Sequence, residues 1–251
     1  MKRYDLIDTW RGLAVIGMIG FHLCWMMSYF GIAIPSEMLF GPFFMAWERS
    51  VCISFIVVAG YSFSLGHKHL LSGIKVFLIG LVITAVTCIF IPDIRIIFGV
   101  LTFIGTATLL MIPVDKAIGQ KSLDSSEFRW IGLIFSMLLF LAAYNINNGY
   151  LGFKGFSVPL PKSLYSGYVA TFIGFKDPDF YSADYFALLP WIFMYLFGYF
   201  LHKAVKGTSF ESNVMVRGIP GIKAIGRHSL IIYIVHPIVI YGILYLIQKY
   251  G

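Results

Sequence analysis

The sequence predicts an all-α membrane protein, a polytopic bundle of about seven transmembrane helices with its N-terminus cytoplasmic and its C-terminus outside. Three observations predict it. Hydrophobic residues make up 59% of the 251-residue chain and charged residues only 12%, about half the charge of a soluble domain. Mean hydropathy is +0.82. The apolar residues fall in runs of the roughly 20 residues needed to cross a hydrocarbon core about 30 Å thick. A soluble fold of this composition would lack the polar groups to cover its surface, and lipid removes that need.

The runs place spans at about Thr9–Phe30, Met45–Gly66, Ser72–Ile91, Ile96–Pro113, Phe128–Asn145, Tyr185–Lys203 and Ser229–Ile247. Only a short turn around Pro92-Asp93 separates the third from the fourth. The first run lacks an A-x-A cleavage site and is long enough to stay as an anchor. No internal repeat of solenoid or inverted-transporter kind is visible, so the chain reads as one transmembrane domain over 1–251.

The formal charge of +7 reads as topology and not as a nucleic-acid surface, because the basic residues lie between apolar runs. With the N-terminus inside, 13 of the 19 Lys and Arg fall on cytoplasmic segments, among them Lys2, Arg3, Arg11, Lys68, Lys121, Lys203, Lys223 and Arg227. The other six, including Arg49, Arg95, Lys154 and Lys162, fall outside. Cys24, Cys52 and Cys88 sit inside apolar runs without CxxC spacing and read as buried thiols. No metal-ligand cluster is seen, and His67, His69 and His202 read as ordinary inner-surface histidines.

The outer segment from about 146 to 184 carries Gly and Pro and is crowded with aromatics, including Tyr150, Phe153, Phe156, Tyr168, Phe172 and Phe180. Its aromatic content argues against disorder. It reads either as an interfacial lid in the headgroup region or as a roof over an outward-facing pocket.

Ionisable groups inside a span cost about 2.5–3.5 kcal/mol each on insertion scales, so each is a functional candidate. The first span opens Asp8-Thr9-Trp10-Arg11-Gly12 and reaches Phe21-His22. Eleven residues at 100° each return His22 to within about 20° of Arg11's face, roughly 16 Å further along the axis. A guanidinium at the inner surface suits a phosphate, and an imidazole deeper on the same line suits proton removal from an attacking hydroxyl or amine. A phosphorylated donor with a long thin arm, such as coenzyme A, would span that gap. The plainer readings are an Arg11–Asp8 pair at i,i+3 and a neutral His22 bonded to a neighbouring helix. Glu48 with Arg49, and Asp184, sit at outer ends of spans, where a carboxylate would orient His22 or serve as a local ion pair or cap. Arg227-His228-Ser229 opens the last span, with Tyr233 and His236-Pro237 deeper. Pro237 frees a backbone carbonyl, tolerable where the helix faces protein or water.

Asp8-x-x-Arg11-Gly12 followed by His22 resembles the first-span signature of acyltransferase-three-type membrane enzymes. Further stretches resemble the catalytic domain of the heparan-α-glucosaminide N-acetyltransferase family, particularly its small bacterial members. These are Ser54-Phe55-Ile56-Val57-Val58-Ala59-Gly60-Tyr61-Ser62, Phe98-Gly99-Val100-Leu101, Ser182-Ala183-Asp184-Tyr185-Phe186, Leu188-Leu189-Pro190-Trp191 and Gly226-Arg227-His228-Ser229-Leu230. They touch five spans in order. The resemblance implies transfer of acetyl from cytoplasmic acetyl-CoA to an amine or hydroxyl of a sugar, a glycan or amino-sugar acceptor, across a bacterial cytoplasmic membrane. It implies His22 as catalytic base or transient acyl carrier, with Glu48 and Asp184 lining the outer pocket. Arg11, with Trp10, Arg227, Ser229, Tyr233 and His236, would serve the donor. It implies no metal and leaves room for a homodimer. Where lysosomal members place their proposed histidine after the first span, this chain has none between Leu23 and Ser64, so His22 alone serves there. Thr102 follows Phe98-Gly99-Val100-Leu101 where many relatives carry a larger polar side chain. The rival reading is a transporter or exporter whose polar path runs through Arg11, His22 and His236.

Overall fold

The computed structural model describes residues 4–153 and 155–250, with every side chain among them except those of 120–122 and 124. Lys2, Arg3, Lys154 and the side chain of Lys121, counted above for charge placement, lie outside the described residues. Eleven helices are described: α1 (Asp5–Tyr29), α2 (Ser36–Leu39), α3 (Pro42–Phe63), α4 (His69–Phe90), α5 (Val100–Asp124), α6 (Ser126–Ala143), α7 (Gly167–Ile173), α8 (Leu188–Val205), α9 (Ser209–Asn213), α10 (Pro220–Arg227) and α11 (Ser229–Tyr250). Seven of them, α1, α3, α4, α5, α6, α8 and α11, are long and apolar enough to cross a membrane. They coincide with the seven expected runs.

Three boundaries move for physical reasons. The fourth span was expected to begin at Ile96, but α5 begins at Val100. The Ile96 amide instead donates to Thr87 Oγ1 (3.0 Å) and the Ile97 amide to Ser182 Oγ (2.9 Å). The same span does not stop at Pro113; the helix carries this proline inside and runs to Gly119, where φ is +69°. An internal proline removes one ladder bond but does not expose backbone to lipid when neighbours satisfy it. The sixth span starts at Leu188 and not Tyr185, because Phe186 donates its amide to the Phe98 carbonyl (2.8 Å). One thiol also differs: Cys88 is exposed on α4, whereas Cys24 and Cys52 are half-buried.

Backbone contacts divide the chain into two compact units, Met1–Val58 with Val205–Gly251, and Ala59–Ala204. In the first unit α1 packs on α10 and runs alongside α11. The α1–α10 crossing depends on glycine. A Cβ at Gly12 would lie 2.1 Å from the Ile222 carbonyl oxygen, and one at Gly226 would lie 1.8 Å from that of Asp8. Small residues let helix backbones approach this closely. Further along, Met26, Ile240 and Leu244 form a buried cluster between α1 and α11.

In the second unit α4 and α5 form an antiparallel pair across Pro92–Ile94, sealed the same way. A Cβ at Gly80 would meet the Thr102 amide nitrogen at 2.7 Å, and one at Gly105 the Phe77 nitrogen at 2.5 Å. Thr102 is the residue that fits against Gly80. The described residues of the 146–184 segment include strands and helices and do not form a structureless loop. Strands Tyr150–Phe153 (β1) and Phe156–Pro159 (β2) pair antiparallel, with Leu151 opposite Val158 and Phe153 opposite Phe156. Strand alternation puts these four on one face of the hairpin. Phe153 stacks on Tyr144 beyond the end of α6, and Phe156 at the turn is 93% exposed.

Candidate active site

The first unit gathers most of the chemically notable side chains. Asp5 and Asp8 occupy the first turn of α1, and Lys223 and Arg227 sit four apart on α10. Asp5 accepts from Lys223 Nζ (2.5 Å) and Arg227 Nη2 (3.1 Å). Asp8 accepts from Arg11 Nη1 and from Arg227 Nε, both at 3.3 Å. The i,i+3 pair of Asp8 and Arg11 is therefore present, and Arg227 joins it from the other end of the chain. Three cations against two carboxylates leave an excess of one positive charge. Tyr4 adds a further tie by donating its hydroxyl to Glu211 Oε1. Burial first, and then the bond to Glu211, push the Tyr4 phenol up to about 12.

His22 stands on the same unbroken helix, eleven residues beyond Arg11. Its Nδ1 lies 2.6 Å from His236 Nε2. The ring centroids are 4.9 Å apart with planes inclined by 11°. The short nitrogen separation within that centroid distance means that the rings meet edge to edge in nearly one plane. His236 Nδ1 in turn lies 2.9 Å from the Ile232 carbonyl oxygen. His236 is 7% exposed, and the Tyr233 ring packs edge-on at 6.0 Å. Ser229, Tyr233 and His236 follow one stripe of α11 at i, i+4 and i+7.

The remaining candidates lie elsewhere. Trp10 is half-buried on α1. Glu48 is exposed on α3, while the neighbouring Trp47 turns its indole towards Gly17 and Gly20 of α1. The ring facing His22 is thus His236 and not a carboxylate. Asp184 belongs to the second unit, where its Oδ2 accepts from the Val100 amide (3.1 Å) and so caps α5. It is a cap for a helix remote in sequence, not for the sixth span that follows it. Beside it the Ala183 amide donates to the Arg95 carbonyl (3.0 Å) and Ser182 Oγ takes the Ile97 amide. A Cβ at Gly99 would lie 2.9 Å from Asp184 Oδ2. The stretches at 98–101 and 182–186 are therefore two halves of one frame, as the stretches at 8–12 and 226–227 are two halves of another. Phe98, held at φ +58°, centres an aromatic cluster with Phe172 and Phe180.

Sequence reading missed the His22–His236 contact and the pairing of Arg227 and Lys223 with Asp5 and Asp8. A signal for the second existed. Two acids three apart at one helix start and two cations four apart on an amphipathic segment present matching one-face charge pairs. His22 and His236 carry no such complementarity.

Seven apolar helices, a glycine-sealed crossing braced by ion pairs and an imidazole pair within a span define an integral multi-pass membrane protein with polar chemistry in its first unit. The model of the family described as heparan-alpha-glucosaminide N-acetyltransferase, catalytic, matches residues 3–238, and the chain belongs to that family of membrane acetyltransferases. No curated protein and no solved structure is similar enough to count as a match. Among the described residues no group of His, Cys, Asp and Glu could hold a metal ion.

Proposed function

We propose that this chain uses acetyl-CoA as donor and transfers its acetyl group to an amine or hydroxyl of a sugar at the opposite membrane face, with His22 as general base. The observation that carries this is the arrangement on α1. A cationic cluster sits at its start, and an imidazole lies on the same stripe roughly 16 Å further along. The donor set suits phosphate. Arg11 and Arg227 are both partly exposed, and guanidinium forks match phosphate oxygens. Lys223 adds a point charge. Acetyl-CoA supplies an activated acetyl carbon. His22 takes the proton from the acceptor nitrogen or oxygen as that atom bonds to the carbonyl carbon. The carbon–sulfur bond breaks, and the proton passes on to the departing thiolate, which restores the neutral ring. Ser229 and Tyr233, on the same α11 stripe as His236, would offer hydroxyl donors to the developing oxyanion.

The Lys and Arg distribution supports this sidedness. The excess of basic residues on segments at the N-terminal side supports a cytoplasmic N-terminus, where a cytoplasmic donor meets the cluster. A bacterial cytoplasmic membrane and a glycan or amino-sugar acceptor fit this reading.

The test uses purified protein in detergent, with acetyl-CoA binding by calorimetry and acetyl transfer to a panel of amino and neutral sugars. Wild type is expected to bind and transfer, Arg11→Ala to bind at least about tenfold more weakly, and His22→Ala to bind but not transfer. A wild type without affinity for acetyl-CoA or CoA would overturn the reading.

A further inference from the structure

We infer that His236 is the positioning residue for His22, and that it fixes His22 in the tautomer whose Nε2 receives the acceptor's proton. The inference rests on the acetyl-transfer reading above. It is read from three atoms in line. The Ile232 carbonyl oxygen has only lone pairs to offer, so the ring nitrogen facing it, His236 Nδ1, carries a hydrogen. In the neutral ring His236 Nε2 is then a bare acceptor. His22 Nδ1, 2.6 Å from it, must supply the hydrogen of that bond. The chain runs in one direction only, from His22 Nδ1–H to His236 Nε2, and from His236 Nδ1–H to Ile232. His22 Nε2 is left with its lone pair and no partner in this chain of bonds.

The same line supports the charged state. When His22 Nε2 takes the proton released as the acceptor attacks the thioester carbonyl, the ring becomes an imidazolium. Its Nδ1–H then donates as a charged group to an acceptor already in place, and charge-assisted bonds are roughly twice as strong as neutral ones. His236 does for His22 what a carboxylate does in a hydrolase triad, but without placing a fixed negative charge inside a span. Two features of α11 suit it to this. Pro237 has no amide hydrogen to give the carbonyl four residues back, which is one residue from the Ile232 oxygen that His236 Nδ1 bonds. Its 7% exposure leaves the ring turned to His22 and its own helix, not to a ligand.

Two substitutions separate positioning from donor binding. His236→Phe fills the volume without an acceptor, whereas His236→Gln has an oxygen to accept from His22 and an amide to donate to Ile232. The expected result is a fall in kcat of about 10²–10⁴-fold for His236→Phe, with KM for acetyl-CoA within about twofold. His236→Gln should recover at least about tenfold of that loss. Nitrogen-15 histidine NMR of the protein in detergent should show His22 hydrogen-bearing at Nδ1 and bare at Nε2, and His236→Phe should populate the other tautomer. A raised KM with unchanged kcat would make His236 a donor-binding residue and overturn the inference, as would full activity in both variants. The NMR arm needs no turnover. If wild type fails to transfer acetyl, the acetyltransferase reading falls, while a hydrogen on His22 Nε2 would still overturn the tautomer assignment by itself.

Discussion

Asp5 and Asp8 of the first unit and Asp177 and Asp184 of the second use their carboxylates in opposite ways. In the first, Asp5 and Asp8 grip cationic side chains, and Asp8 joins Arg11 to Arg227 across most of the sequence. In the second, Asp177 and Asp184 hold backbone amides: Asp184 takes the Val100 amide, and Asp177 takes those of Gly167 and Asp179. A carboxylate between guanidiniums is valued for its charge, because removing it strands cations in a low-dielectric setting. A carboxylate on amides is valued mainly for its lone pairs, which a neutral amide oxygen also offers. Asp5 and Asp8 therefore form their charge-dependent contacts at the start of the helix that carries His22, while Asp177 and Asp184 of the second unit are held by neutral amides. An Asp→Asn replacement, which keeps shape and one acceptor oxygen, tests that distinction directly.

The largest effect is expected at Asp8. Its side chain is 8% exposed, while Arg227 is 36% exposed and so partly screened. Breaking a buried pair costs about 3–5 kcal/mol, and the screening brings Asp8→Asn to about 2 kcal/mol. Unfolding followed by tryptophan fluorescence in mixed micelles measures it. Asp5, at 24% exposure, should lose less. Equal losses at both positions, or none at Asp8, would remove charge as the distinguishing feature of the first unit.

How far the sequence led can be read from the same residues. The seven spans were legible because lipid demands about 20 apolar residues per crossing and little else. Boundaries slipped where backbone amides found partners far away, as at Ile97 with Ser182, since a hydropathy pattern records nothing about long-range hydrogen bonds. The Arg11–Asp8 pair was legible as a local helix spacing. The contacts of Arg227, Lys223 and His236 were not, because each joins α1 across more than two hundred residues. Asp184 was noticed as an acid at a span boundary. The amide it caps belongs to α5, and only the folded chain shows that.

A smaller effect is expected at Asp184. Loss of an N-cap acceptor costs about 0.5–2 kcal/mol, so Asp184→Ala should destabilise the protein by about 1 kcal/mol, while Asp184→Asn should stay within a few tenths. Acetyl transfer sharpens the result. If Asp184 acts only as a cap, Asp184→Asn keeps full activity; if its carboxylate takes part in the chemistry, Asp184→Asn loses activity while remaining stable. The second outcome would make the Asp184 charge itself necessary and dissolve the contrast between the two kinds of carboxylate.

The smallest effect belongs to Asp177, which is on the surface segment joining α7 to α8. The Gly167 amide, and then that of Asp179, hold its carboxyl below the ordinary carboxylate range. The sign follows from linkage. A carboxylate whose pKa is depressed in the fold contributes stability at pH above its unfolded value, about 3.9. That contribution disappears as pH falls through the depressed value. At neutral pH the loop around α7 is therefore held at full strength, and it loosens only in strong acid. Hydrogen exchange at the Gly167 and Asp179 amides, corrected for intrinsic rates, measures this locally. Asp177→Ala should speed both amides several-fold, and Asp177→Asn should speed them less, because its oxygen still accepts but no longer carries the charge that the two amides favour. Exchange as fast in Asp177→Asn as in Asp177→Ala would mean that charge holds this loop too, and the division between charge-held and lone-pair-held carboxylates would fail at its most exposed member.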